Sequence, residues 1–178
     1  MEKITTAAIP NKGNVLVIGN SGVGKSTLIN AVLGDEAAET GFGTEGTTKS
    51  LRIYENDGLS FRLIDTIGFE PTLLKEHAAV TAVRKWSKES AKQGHEDTQI
   101  SVIWFCVDGT AAKLFDKTLD NLQKATSMWK GVPVIVVITK SFSIPDREQN
   151  IKMVQNLFAK SKKPCNLKEI IPVVEADA

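Results

Sequence analysis

Eight consecutive residues, Gly19-Asn20-Ser21-Gly22-Val23-Gly24-Lys25-Ser26, fit the spacing G-x-x-x-x-G-K-[ST] at every fixed position. Glycines let a backbone wrap closely enough for its N–H groups to converge on phosphate oxygens. A helix start favours this further, because its unpaired N–H groups and dipole already attract an anion. In such a loop Lys25 reaches the β- and γ-phosphates of a nucleoside triphosphate, and the Ser26 hydroxyl is a ligand for Mg²⁺. Thr27, directly after it, is counted with the same site. A glycine-rich turn carrying an incidental lysine is the bland alternative. The context speaks against it: the apolar run Val15–Ile18 precedes the loop, and Leu28, Ile29, Val32 and Leu33 mark one helical face behind it, closed by Gly34.

Two further groups fit the same chemistry. Leu63-Ile64-Asp65-Thr66-Ile67-Gly68 ends an apolar run in D-x-x-G. An acid at the end of a strand beside the loop holds Mg²⁺, usually through water, and the Gly68 N–H senses a γ-phosphate. By itself D-x-x-G is ordinary turn chemistry; its place after the glycine loop and a hairpin gives it weight. The segment Gly43-Thr44-Glu45-Gly46-Thr47-Thr48-Lys49 carries threonines at the entry to the hairpin. A hydroxyl there closes onto Mg²⁺ when γ-phosphate is present; Thr48 is the first choice and Thr47 the second, against the reading of a plain polar loop. The metal set is therefore Ser26, Thr48 and Asp65, with Thr48 and Gly68 the candidates for a part in catalysis.

The elements that must position these groups are legible in chain order. Leu51/Ile53 and Leu59/Phe61/Leu63 alternate with polar residues around Asn56-Asp57-Gly58, a hairpin signal. Asp35–Thr48, before it, lacks periodicity and reads as a long loop. Ile100–Val107 and Val132–Ile138 are apolar almost throughout, as strands buried on both faces are. Phe115, Leu119 and Leu122 mark a helix between them. Pro145-Asp146 opens another, continued inward by Ile151, Val154 and Phe158. Ile170–Val174 is a last strand. The order predicts an α/β fold: a mainly parallel sheet with one antiparallel strand and helices on both faces.

Composition sets the outer bounds. The 178 residues suit one domain, with 42% hydrophobic and 24% charged residues, and a formal net charge of +1 offers no field for nucleic acid. The two cysteines, Cys106 and Cys165, make no disulfide framework, and Cys106 lies inside an apolar run. No apolar run approaches the ~20 residues of a membrane span, so a cytoplasmic domain is expected. His77 and His95 lack metal-ligand spacing, and Trp86, Trp104 and Trp129 occur singly, as packing residues do.

On these residues the chain resembles the Era/septin/dynamin-like (TRAFAC) branch of the P-loop GTPases, over nearly all of Asn14–Ala178. Gly24–Gly34 is similar to the start of those domains, Thr47-Thr48-Lys49 resembles their switch I and Asp65-Thr66-Ile67-Gly68 their switch II. The resemblance implies a G domain over residues 14–178 behind a tail of residues 1–13. It also implies GTP/GDP and Mg²⁺ as cofactors, slow hydrolysis, and control by a partner or a homodimer across the nucleotide site. The family's domains end in a helix after the last strand, so this chain is expected to be the front of a longer protein.

Three departures stand against that pattern. The base-recognition motif, Asn/Thr-Lys-x-Asp in the family, reads Thr139-Lys140-Ser141-Phe142 here. The lysine stem can lie over a purine, but the carboxylate that pairs with guanine is missing. The last motif is matched only by Ala176. Phe69 follows D-x-x-G where some relatives place a water-orienting glutamine, and Gly22 stands where potassium-activated members carry asparagine. A nucleotide-dependent interaction module with negligible hydrolysis, and an ATP-binding protein, therefore remain alternatives to a GTP-hydrolysing switch.

Overall fold

A computed structural model describes residues 12–19, 23–34, 38–40, 51–66, 81, 85, 99–110, 131–160 and 166–174. In chain order the elements are β1 (Gly13–Gly19), α1 (Lys25–Leu33), β2 (Ala38–Thr40), β3 (Leu51–Glu55), β4 (Phe61–Thr66), β5 (Val102–Asp108), β6 (Val134–Thr139), α2 (Ile144–Lys160) and β7 (Leu167–Pro172). The strands form one sheet in the order β2-β3-β4-β1-β5-β6-β7. β1 lies parallel to β4 on one side and β5 on the other, with Val15 paired to both Leu63 and Val102. β6 and β7 continue the parallel sheet. β3 is antiparallel to β4 and β2 to β3, so β3 alone runs against the rest.

Burial explains why these runs became strands. On β1, Val15 and Val17 face one side and Leu16 and Ile18 the other, all at most 6% exposed. Each such side chain contributes about 1.5–3 kcal/mol on burial, more than the ~1 kcal/mol that separates good from poor strand formers. One face packs Leu16, Ile18, Ile64, Ile103, Phe105 and Val136 against Val154 of α2, with Ile151 and Phe158 alongside. The other packs Val15, Val17, Leu63, Cys106 and Val137 against Ile29 and Leu33 of α1. The expected helices on both faces are present, and the inward residues of α1 and α2 are those the periodicity marks.

The structure corrects one element. Asp35–Thr48, read as a loop throughout, contains β2, which pairs Ala38 with Glu55 and Thr40 with Ile53. Three residues are too few to show alternation, and a short strand at a sheet edge is held by backbone bonds, without an apolar face of its own. The hairpin is as read, with Asn56 Oδ1 accepting from the Gly58 N–H at 2.8 Å. The helix read at Phe115–Leu122 lies outside the described residues. Of Leu74–Gln93, read as helix-prone, the described residues Thr81 and Lys85 are helical. Among the described residues no helix is long and apolar enough to cross a membrane.

At the amino-terminal edge of the sheet the core closes on a polar cluster. Arg62 is 7% exposed; its Nε pairs with the Glu55 carboxylate and its Nη1 donates to Asn14 Oδ1 at 3.3 Å. Asn14 Nδ2 in turn donates to the Gln99 carbonyl at 2.9 Å. Removing one member of a buried pair leaves the other charge without compensation. Arg62→Ala is therefore expected to lower stability by about 3 kcal/mol, whereas Arg62→Met with Glu55→Leu recovers most of it. Urea unfolding of both variants checks this, and a single variant as stable as wild type would refute it.

Candidate functional site at the carboxyl edge of the sheet

The parallel strands deliver their carboxyl ends to one edge, where ligand sites of open α/β sheets form. β1 stops at Gly19 because the chain must turn against β5. A Cβ there would lie 3.0 Å from Val23 Cγ2, 3.1 Å from Cys106 Cβ and 3.2 Å from the Cys106 carbonyl oxygen. Asn20, Ser21 and Gly22 lie outside the described residues, as do Thr48, Gly68 and Phe69. The chain re-enters at Val23, and Gly24 takes the left-handed φ of 92° that launches α1. α1 has no side-chain cap and no acid in its first turn. No side chain of the helix itself therefore offsets the positive end of its dipole.

Lys25 and Asp65 meet at this point. Lys25 Nζ lies 2.8 Å from Asp65 Oδ1, with side chains 12% and 10% exposed. The contact is ionic without hydrogen-bond alignment, so this buried carboxylate oxygen has charge compensation but no aligned donor. Ser26 and Thr27 are exposed on the first turn of α1. Beneath the loop, Cys106 is a neutral floor. Burial pushes its thiol up to about 12, with the opposing influences of Lys25 and Asp65 secondary.

The residues expected on the base side are held by contacts of their own. Thr139 is wholly buried. Its hydroxyl lies between the carbonyl of Val23, in the loop, and that of Val107, 3.1 Å away on β5. It thereby ties the end of β6 to the loop and to β5. Lys140 has a left-handed φ of 53° and places its ammonium 3.0 Å from Asp108 Oδ2. Asp108 Oδ1 accepts from the Thr110 N–H and hydroxyl at 2.8 and 2.6 Å. Burial opposes ionisation of Asp108, but the Thr110 hydrogen bonds and the Lys140 charge together outweigh it and hold the carboxyl below its usual value. Gly109 allows the adjoining turn to close: its N–H donates to the Thr139 carbonyl at 2.9 Å, and a Cβ would meet that oxygen at 2.7 Å. Asn150 of α2, buried, donates to the Gly109 carbonyl.

The structure therefore gathers Gly19, Val23, Gly24, Lys25, Asp65 and Thr139 at one place, with Lys140 at its β6 side. Sequence reasoning missed Asp108 and Asn150. An acid closing an apolar strand before Gly-Thr is a signal that could have found Asp108. Asn150 has none, since a polar residue on a helix is ordinarily solvated.

A seven-stranded sheet with a glycine loop, a lysine and a facing acid at its carboxyl edge defines a P-loop nucleotide-binding G domain. The family model of the 50S ribosome-binding GTPases matches residues 14–140, and the chain belongs to that family. It is 26% identical over 174 residues to GTPase Era of Vibrio vulnificus, covering 97% of this chain and 49% of that protein. It is 40% identical over 89 residues to GTPase Der of Neisseria meningitidis, covering 49% of this chain and 17% of that one. The chain thus spans half or less of these relatives. Among solved structures it resembles the ADP-ribosylation factor-like GTP-binding protein SAR1 of Encephalitozoon cuniculi in complex with GDP. There the TM-score is 0.59 at 15% identity, over 94% of this chain and 71% of that one, a likeness of fold.

Thr139→Val, which keeps the volume and deletes the hydroxyl, is expected to cost about 1–3 kcal/mol and to weaken triphosphate binding through the loosened loop. Unfolding in urea and calorimetric titration test the two effects; full affinity in the variant would rule out the tethering role. Asp108 supplies a pH signature. A carboxyl held low contributes stability above its unfolded value of about 4 and loses it as pH falls through the lower folded value. The stability gap between wild type and Asp108→Asn should be constant above about pH 5 and close below about pH 4. A gap independent of pH would contradict the ion pair's part.

Proposed function

We propose that this domain is a Mg²⁺-dependent GTP switch that hydrolyses its nucleotide slowly and faster on self-association. The observation that carries the reading is the Lys25–Asp65 pair, 2.8 Å apart at the uncapped start of α1. Those are the groups a triphosphate–metal complex separates, the lysine to phosphate and the acid to the cation side. Membership of the GTPase family supports guanine as the base.

The residues suit Mg²⁺. Among the described residues no three His, Cys, Asp or Glu side chains cluster to hold a metal, so a cation here shares hard oxygens with phosphate, as Mg²⁺ prefers. Asp65, with its undonated buried oxygen, and the exposed Ser26 hydroxyl are those oxygens; Thr48 is the proposed third ligand. When bound, the ion neutralises charge on the phosphates. Lys25 adds a second positive charge to the same oxygens, and the N–H groups of Gly24 and the first turn of α1 orient them. Thr48 and Gly68 respond to the γ-phosphate and give the switch its two states.

An attacking water needs a positioning group, and Phe69 has neither donor nor acceptor. Help from outside the protomer is worth roughly 10³–10⁵ in rate in phosphoryl transfer, and Glu45 or Glu70 across a homodimer is the proposed source. The test is GTP turnover per site at several protein concentrations, with Glu45→Ala and Glu70→Ala in parallel. The rate per site should rise with concentration and fall in one variant. Lys25→Ala should bind GTP about 10–100-fold more weakly while its circular dichroism spectrum stays native. Fast hydrolysis that ignores concentration and both glutamates would sink the dimer mechanism, and full affinity in folded Lys25→Ala would sink the site.

A further inference from the structure

We infer that Asp108 is a positioning residue for the nucleoside end of the site: it anchors the Lys140 ammonium so that the methylene stem of that lysine lies against the base. The inference rests on the triphosphate reading above and concerns the part of the ligand beyond the phosphates. Lys25 and Asp65 mark the charged end, and Asp65 stands on β4, to one side of β1. The nucleoside then leaves the loop on the other side, over β5 toward β6. β6 is two strands from β1, or about 10 Å at the usual strand spacing, a span that a ribose and base cover. Lys140 is the first residue after β6.

The backbone of Lys140 is fixed from both sides. Among the described residues it is the non-glycine residue with a left-handed φ, 53°. A side chain disfavours that conformation, which persists only where the surroundings impose it. Before it, the Thr139 hydroxyl is turned to the Val23 and Val107 carbonyls, and the Thr139 carbonyl accepts from the Gly109 N–H at 2.9 Å. After it, the Ser141 N–H donates to the Val173 carbonyl at 3.1 Å, and the Ser141 hydroxyl to the Ile138 carbonyl at 2.8 Å. The Cα–Cβ bond of Lys140 therefore has one direction, but the flexible stem beyond it does not.

Asp108 removes that freedom. A lysine and a carboxylate at an exposed surface hold each other weakly, because both chains rotate away. Here the two side chains are 30% and 19% exposed, and the carboxylate is itself held. Its Oδ1 accepts from the Thr110 N–H and hydroxyl at 2.8 and 2.6 Å, while Oδ2 meets the Lys140 ammonium at 3.0 Å. The turn that carries Asp108 is pinned as well. A Cβ at Gly109 would lie 2.7 Å from the Thr139 carbonyl oxygen, and the Gly109 carbonyl accepts from Asn150 of α2 at 2.9 Å. Asn150 is buried. A lysine tethered by its tip presents its stem as contact surface, and every purine offers flat faces to such a stem.

The test is calorimetric titration of the full chain with Mg²⁺, by GTP and by inorganic tripolyphosphate, which carries phosphates without a base. Asp108→Asn keeps the shape of the side chain but loses the charge that anchors Lys140. It should weaken GTP about fivefold or more and leave tripolyphosphate unchanged. Lys140→Ala should weaken GTP at least as much, and adding Asp108→Asn to it should bring no further loss, because the two residues act as one unit. Thr110→Val, which removes one bond to the carboxylate, should shift the ratio of the two affinities in the same direction and serves if Asp108→Asn does not fold. Equal weakening of GTP and tripolyphosphate by Asp108→Asn would mean a purely structural part and overturn the inference. Unchanged GTP affinity, or a loss that adds to that of Lys140→Ala, would overturn it too and leave the triphosphate site standing. A folded wild-type protein that binds neither ligand would overturn both.

Discussion

Two backbone carbonyls from separate parts of the chain meet at one buried hydroxyl. Thr139 closes β6, and its side chain lies between the Val107 carbonyl of β5 and the Val23 carbonyl of the loop that follows β1. Two close approaches make this possible. Gly19 lets the β1 end lie against Cys106, and Gly109 lets the β5 end lie against the Thr139 carbonyl. The rest of the site depends on that junction, because a phosphate cradle made of backbone N–H groups works only if the backbone is fixed before the ligand arrives. Rigidity comes from below: strands buried on both faces by α1 and α2 cannot shift singly without opening the core.

Charge is distributed over the sheet by the same logic. The Arg62–Glu55 pair sits at the amino-terminal edge, bound into a hydrogen-bond chain with Asn14 and Gln99. There its members have compensation on several sides and no ligand to exchange for. At the carboxyl edge Lys25 and Asp65 are in ionic contact, and the buried Asp65 Oδ1 has no hydrogen bond beyond that contact. Burying an ion pair is weak evidence for stability, since desolvation offsets much of the attraction. Such a pair at a helix start is better understood as charge held in place for another task. Lys140–Asp108 falls between these cases: aligned and reinforced by Thr110, it fixes the end of β6.

How much of this was legible in the sequence follows from which residues carry periodic or positional information. The glycine loop, Lys25 and Asp65 announce themselves, because phosphate chemistry demands those types at those places. The central strands are legible because two-sided burial leaves unbroken apolar runs. β2 was not, because Ala38-Glu39-Thr40 pairs through its backbone at an edge and carries no pattern. The contact of the Thr139 hydroxyl with the Val23 carbonyl was not legible, because it joins residues far apart in the chain. Asp108 and Asn150 matter through contacts with residues far along the chain, and no local rule encodes those.

The family match ends at Lys140, one residue before the segment where the sequence departs. Physical separation explains how phosphate chemistry and base recognition can part company there. In the strand order, Asp65 and the loop belong to the neighbours β4 and β1, whereas Lys140 and Phe142 follow β6, two strands beyond β1. Phosphates bring several charge-assisted contacts of about 1.5–3 kcal/mol each. A carboxylate on the base edge adds contacts of the same kind, but they govern which base enters and not how the γ-phosphate is sensed. Replacing that acid by Phe142 therefore leaves the charged centre at Lys25 and Asp65 intact. Thr139 still anchors the loop, its hydroxyl turned to the Val23 and Val107 carbonyls. The Lys25–Asp65 pair thus sits on elements apart from the segment that carries Phe142.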